Sequence, residues 1–280
     1  MSTSTIPEPS PARPQAAPPI IVFEKVSIAF DDKPVLREVS FELEKGETKA
    51  IFGVAGAGKS TILKLALGLI KPDSGDIRVL GEDVTAMAER DLFELRRKIG
   101  MVFQESALFD SLNVRDNVAF RLMEEGTVSP EDIEARVHEA LSFVELENTI
   151  DLFPSELSGG MRRRVAIARA IITHPEVILY DSPTGGLDPV TSTTIIELIV
   201  KQRDVSGTSS LLVTHRLQDA FVMASHYFDV QTGHMWPLKD DPKRKIPMTF
   251  LILRDGKIIF DGNVQQLSEC RDEYIREYIS

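Results

Sequence analysis

The chain has almost no cysteine. Cys270 is the single one in 280 residues, so no internal disulfide can form, and a reducing compartment fits. No apolar run approaches the ~20 residues that a helix needs to cross a bilayer. A role at a membrane would therefore need spans from another chain. A basic excess is missing too: the formal net charge is −11 and the pI is near 5.0. That disfavours a footprint on phosphate backbone, and nucleic acid is not an expected partner. His138 and His174 stand singly, without metal-ligand spacing, so no zinc site is expected. The opening residues are rich in Ser, Thr, Pro and Ala without an apolar stretch, and are not read as a secretory signal.

What is present suits a globular protein of one large domain or two small ones, with 42% hydrophobic and 27% charged residues. Residues 1–19 form a proline-rich, low-complexity tail that cannot bury a core and is expected to stay disordered. Beyond it, strands are predicted over Ile20–Phe30, Val39–Leu43, Thr48–Phe52, Ile77–Leu80 and Ile99–Phe103. Arg90–Lys98 reads as a charged helix. Three helical segments follow: Asn113–Glu125, one starting at Ser129-Pro130-Glu131-Asp132, and Leu157–Ile172. Val177–Asp181 and Ser210–Thr214 are predicted strands, with helices at Val190–Arg203 and Gln218–Ala224. A hairpin is expected across Asp255-Gly256, and a helix over Val264–Ile279. This is an α/β pattern with a mostly helical insert at about 105–172, and it implies a parallel sheet with ligand groups at the strands' carboxyl ends.

The organising stretch is Gly53-Val54-Ala55-Gly56-Ala57-Gly58-Lys59-Ser60-Thr61. It fits GxxxxGK[ST] between a predicted strand and a predicted helix. Such glycines let successive backbone N–H groups turn inward around phosphate oxygens. Lys59 brings a mobile positive charge to the outer phosphates, and the Ser60 hydroxyl can join a Mg²⁺ shell. Asp181, ending an apolar strand, can hold Mg²⁺ through water. Ser158, Gly159 and Gly160, ahead of a helix, make a second anion site. One chain does not need two such sites for one nucleotide, but a dimer does if each chain's second site covers its partner's phosphate loop.

Leu157-Ser158-Gly159-Gly160-Met161 resembles the signature of ABC-type ATPases, and the other motifs stand in that family's order. The resemblance implies a P-loop NTPase fold: a RecA-like parallel core with an antiparallel β subdomain and an inserted α-helical subdomain. It implies ATP and Mg²⁺ as cofactors. Phe30 would stack on adenine, Gln104 would be the Q-loop residue that joins Ser60 and Asp181 at Mg²⁺ and, with the helical insert, reports the change to a separate permease, and His215 would be the switch histidine. Gly185-Gly186-Leu187-Asp188 matches the D-loop. The segments Val102–Gln104, Ala107–Leu112, Asn117–Phe120 and Pro154–Met161 are similar to the lipid-transport ATPases of the maintenance-of-lipid-asymmetry and Mce systems. That implies a homodimer of nucleotide-binding subunits on an MlaE-like permease. It places this chain at the cytoplasmic face of a bacterial inner membrane, peripheral via the permease, with an Mce-type substrate-binding protein as an indirect partner.

One departure matters. Ser182 follows Asp181 where the family carries a glutamate that orients or deprotonates the attacking water. Losing a general base costs on the order of 10²–10⁴ in rate. Glu105 and His215 are possible stand-ins. The two readings are an ATPase that works with Ser182 and a displaced helper, and an ATP-gated regulatory or assembly subunit with little turnover. The soluble ABC proteins of DNA repair or translation are disfavoured, because the chain has neither a long coiled-coil insert nor two tandem cassettes. Bland readings fall to the stretch at about 226–248, as a solvated loop with Lys239, Lys243, Arg244 and Lys245, and to Trp236, as a local packing anchor. Arg162 and Arg163 are expected to be exposed, and Arg164 matches a family arginine.

Overall fold

A computed structural model describes residues 18–241 and 243–279. The expectation for the tail falls mainly on residues 1–17, outside that range. The chain opens with β1 (Ile21–Phe30) and β2 (Lys33–Leu43), which pair antiparallel. The sequence reading began β2 at Val39. It missed that Asp31 and Asp32 both adopt positive φ, which closes a two-residue hairpin and lets pairing start at Phe30 and Lys33. After β3 (Thr48–Gly53) and α1 (Lys59–Ala66), β4 (Ser74–Val79) and β5 (Glu82–Asp83) complete the order β2-β1-β4-β5.

Next come α2 (Glu89–Arg97), β6 (Ile99–Val102), α3 (Val114–Glu125), α4 (Pro130–Phe143) and α5 (Gly159–Ile171). Their starts follow from capping chemistry. The side chains of Asn113, Ser129 and Ser158 accept from Asp116, Asp132 and Met161 N–H respectively. Gly126 ends α3 in the left-handed conformation.

The core resumes with β7 (Val177–Asp181), α6 (Pro189–Ser206), β8 (Ser209–Val213) and α7 (Leu217–Ser225). β3, β7 and β8 read as nearly continuous apolar runs because helices cover both faces. Leu211, Leu212, Ile178 and Leu179 are wholly buried. Among the described residues the second sheet runs β12-β11-β3-β8-β7-β6, parallel except for its edge hairpin β11 (Met248–Arg254) and β12 (Lys257–Asn263). Asp255 and Gly256 turn that hairpin with φ of 52° and 75°.

Two expectations need correction. The stretch at 226–248 is not a plain loop: β9 (His226–Asp229) and β10 (His234–Pro237) pair antiparallel within it. Phe228 is buried in the main core and Met235 packs against it, which anchors the hairpin. Trp236 donates to Thr232 Oγ1 at 2.9 Å, a local contact. The C-terminal helix is broken into α8 (Val264–Ser268) and α9 (Glu273–Ile279). Asp272 accepts the Ile275 N–H at 3.0 Å and so starts a new helix.

Asn117, on α3, is fully buried. Its amide group accepts the Phe109 N–H at 2.8 Å and donates to the carbonyls of Phe109, Leu112 and Asn113 at 2.9–3.0 Å. It thereby fixes the segment between the core and α3. Replacing Asn117 with Ala takes away the partner of the Phe109 N–H and of the Leu112 carbonyl, while the Phe109 and Asn113 carbonyls keep the N–H groups of Leu112 and Asn117, so a loss of about 1–3 kcal/mol is expected. It should appear as a lower denaturation midpoint with an unchanged slope.

Candidate functional site

Gly53, Gln104, Asp181 and His215 come together because their strands lie in one parallel sheet and they end or follow β3, β6, β7 and β8. Two glycines let the loop after β3 close. A Cβ on Gly53 would lie 2.6 Å from the Leu253 carbonyl oxygen. Gly58 has φ of 96° and caps α1 without a side chain, and a Cβ there would lie 2.6 Å from Leu36 Cδ2. Val54, Ala55 and Gly56 are exposed, Ala57 is buried, and α1 has no acidic residue in its first turn. Exposed N–H groups and a helix N-terminus thus face outward, a favourable place for phosphate.

Lys59 Nζ donates to the carbonyls of Gly53 at 2.8 Å and Val54 at 3.0 Å. Burial lowers its pKa and nearby Asp181 opposes that shift. Ser60 Oγ donates to Asp181 Oδ1 at 3.1 Å. A hydroxyl and a carboxylate at that separation are hard oxygen donors and fit Mg²⁺, which takes few protein ligands and fills its octahedron with phosphates and water. Thr61 follows Ser60 in the first turn of α1.

Ser182 is buried, with φ of 47°. Its N–H donates to the Val213 carbonyl at 2.8 Å and its carbonyl accepts from the Gly185 N–H at 2.9 Å. Gln104 is exposed, and its Cγ lies 3.6 Å from where a Cβ on Gly185 would sit. Glu105 and His215 are exposed as well. Phe30 is 47% exposed at the tip of the β1–β2 hairpin, and β2 packs on the phosphate loop through Leu36.

Ser158, Gly159 and Gly160 stand apart from this cluster. Ser158 Oγ accepts from Met161 N–H at 3.2 Å, and among the described residues no hydrogen bond joins it to Gly53–Thr61. Gly160 instead abuts α6: a Cβ there would lie 2.4 Å from Thr191 Cγ2. Asp188 caps α6 by accepting from Val190 and Thr191 N–H at 3.0 Å and from the Thr191 hydroxyl at 2.5 Å. Those bonds, the Thr191 hydroxyl first, hold its carboxyl below the usual range. The structure so divides the residues named from sequence into a phosphate-loop group and a signature group seated beside Leu187–Thr191.

Arg163 overturns its expectation of exposure. It is buried, with its guanidinium donating to the carbonyls of Phe103 at 2.9 Å, Gly185 at 3.4 Å and Ser182 at 3.5 Å. Arg162 remains exposed. The pair Arg162-Arg163 reads as solvated on composition. The missed signal was phase, since Arg163 shares the i, i+3, i+4, i+7 face with buried Ala166, Ile167 and Ala170. Arg169, also missed, donates to the carbonyls of Ser106 and Ala107 at 2.8 and 2.7 Å, and both of those residues have positive φ. Phe93, Phe103, Phe109 and Phe120 line a groove of about 630 Å³ between α2, β6 and α3.

A family model described as ABC transporter matches residues 36–185. The chain belongs to the ABC transporter family. The Arabidopsis thaliana protein TRIGALACTOSYLDIACYLGLYCEROL 3, chloroplastic, is 42% identical over 258 residues, 89% of this chain and 70% of that protein. The intermembrane phospholipid transport system ATP-binding protein MlaF of Escherichia coli K12 is 32% identical over 265 residues, 95% of this chain and 90% of MlaF. The methionine import ATP-binding protein MetN of Mesorhizobium japonicum is 35% identical over 256 residues, 89% of this chain and 70% of MetN. A dimeric post-hydrolysis ATP-binding cassette bound to ADP and Pi superposes with a TM-score of 0.72 at 28% identity, covering 87% of this chain and 98% of that one. The P-loop NTPase fold is therefore that of ABC cassettes, and the chain is the ATP-binding subunit of an ABC transporter with ATPase activity. In this family such subunits work as dimers, peripheral to the membrane, with transmembrane permease partners.

Replacing Lys59 with Ala removes the cation aimed at the outer phosphates. Phosphate release from ATP should fall about a hundredfold or more, while circular dichroism and the thermal midpoint stay close to those of the parent.

Proposed function

We propose that two copies of this chain close on two ATP·Mg²⁺ and drive lipid transport, with phospholipid as cargo, through a separate MlaE-like permease at the cytoplasmic face of a bacterial inner membrane. In this reading Gly53–Thr61 of one chain cradles the phosphates, and Ser158–Gly160 of the other caps them. Ser60 and Asp181 hold Mg²⁺, with Gln104 joining them and reading the γ-phosphate. Phe30 stacks on adenine. His215 and Ser182 face the attacking water, and Asp188 contacts the partner. Mg²⁺ would supply charge neutralisation between the phosphates.

The observation that carries the two-chain reading is the separation of the sites. The phosphate loop meets Asp181 through Ser60, whereas the signature loop is seated on α6. For lipid, the support is length: the chain spans 90% of MlaF but 70% of MetN. Methionine import is the second reading, since MetN is as similar in sequence. The aromatic groove between the core and α3 suits a permease segment, because four partly exposed phenylalanines line it beside the Gln104 loop. An Mce-type protein would then meet the permease rather than this chain.

Two measurements test the reading. Purified protein with its permease in proteoliposomes should move fluorescent phosphatidylglycerol in an ATP-dependent manner and leave labelled methionine where it is; the opposite pattern would favour the import reading. Ser182→Glu should raise phosphate release by about ten- to a hundredfold, since it restores a carboxylate at the water. If the parent chain releases phosphate no faster than Lys59→Ala does, the regulatory reading replaces the enzyme.

A further inference from the structure

We infer that Arg163 is a positioning residue that ties the Gln104 loop, the turn after Asp181 and the signature helix into one unit. This rests on the ATPase reading above, but the contacts themselves do not. Arg163 sits one turn into α5, the helix that Ser158 caps. Its guanidinium reaches the carbonyl of Phe103, the residue before Gln104, and the carbonyls of Ser182 and Gly185, which bracket the turn after Asp181. A planar fork with several donors suits three carbonyls at once, and an ammonium does not.

The charge is bought into the interior without a carboxylate in contact. Burial lowers the Arg163 pKa, and Glu105 opposes that shift. Its Nε–H has no hydrogen-bond partner among the described residues. Burying a cation against carbonyls alone is costly, and a core needing only volume would be served by an apolar side chain. The compensation lies in what the three carbonyls belong to. Phe103 precedes Gln104, the residue assigned to the γ-phosphate, and Ser182 is itself assigned to the attacking water. The same helix begins at the loop assigned to the partner's nucleotide. Arg169 reinforces the arrangement from two turns further along by holding the carbonyls of Ser106 and Ala107. A displacement of Gln104 on sensing phosphate is thereby passed to α5, and so to the opposite site.

The test compares Arg163→Met and Arg163→Lys with the parent chain, in complex with the permease. The Met variant should lose roughly ten- to a hundredfold in kcat with KM for ATP unchanged. The Lys variant, which keeps the charge but not the fork, should recover only part of that loss. Hydrogen exchange on the nucleotide-free chain should quicken at residues 103–106 and 182–187 in the Met variant, with the β3 and β8 amides unaffected. Unchanged kcat, or exchange that rises evenly across the chain together with a drop in thermal midpoint, would overturn the inference. A parent chain without phosphate release would sink the ATPase reading instead, and the local exchange would still decide the role of Arg163.

Discussion

The hydrogen bond from Ser60 to Asp181 is the constraint on which the rest of the site depends. It can form only if β3 and β7 end at the same level on either side of β8. The parallel register does this, pairing Ile51 and Asp181 with the same residue, Val213. A slip of one residue would turn Asp181 to the opposite face of the sheet. The fully buried inner strands prevent that slip, because each carries neighbours packed on both faces. Core packing therefore fixes where a carboxylate, a hydroxyl and Lys59 meet.

The phosphate loop, its flanking strand and helix, the Asp181 strand and the Asp255-Gly256 hairpin were legible because each rests on local chemistry: periodicity, glycine at positive φ, or a capping side chain. The misses have one physical character. The Asp31-Asp32 turn is set by two residues at positive φ, the break before Asp272 by a side chain that finds a backbone partner, and the β9–β10 hairpin by one buried residue, Phe228, so each turns on a single local feature. Hydropathy carries little of that information. Arg163 is the sharpest instance. Composition places an arginine run in water, while its position on the face of Ala166 and Ile167 places it inside.

Ser182 and Arg163 bear on the same problem from opposite sides. Where the family resemblance implies a carboxylate, this chain has a small hydroxyl on a buried turn. A cation approaches the carbonyl of that turn from α5. Loose phosphoryl-transfer transition states depend more on placement and charge than on proton abstraction. A site that holds Gln104, Ser182 and the signature helix in fixed relation can then retain turnover without the glutamate.

The central claim is that each nucleotide is gripped by two chains, and mixing two defective chains tests it most directly. One carries Lys59→Ala and the other Ser158→Arg, and retention of labelled ATP after gel filtration is measured for each alone and for the mixture. The account predicts that neither chain alone retains ATP but that the mixture does, because pairing them restores one complete site. Failure of the mixture to retain ATP, with both chains folded and associating, would contradict it and place the whole site within one chain.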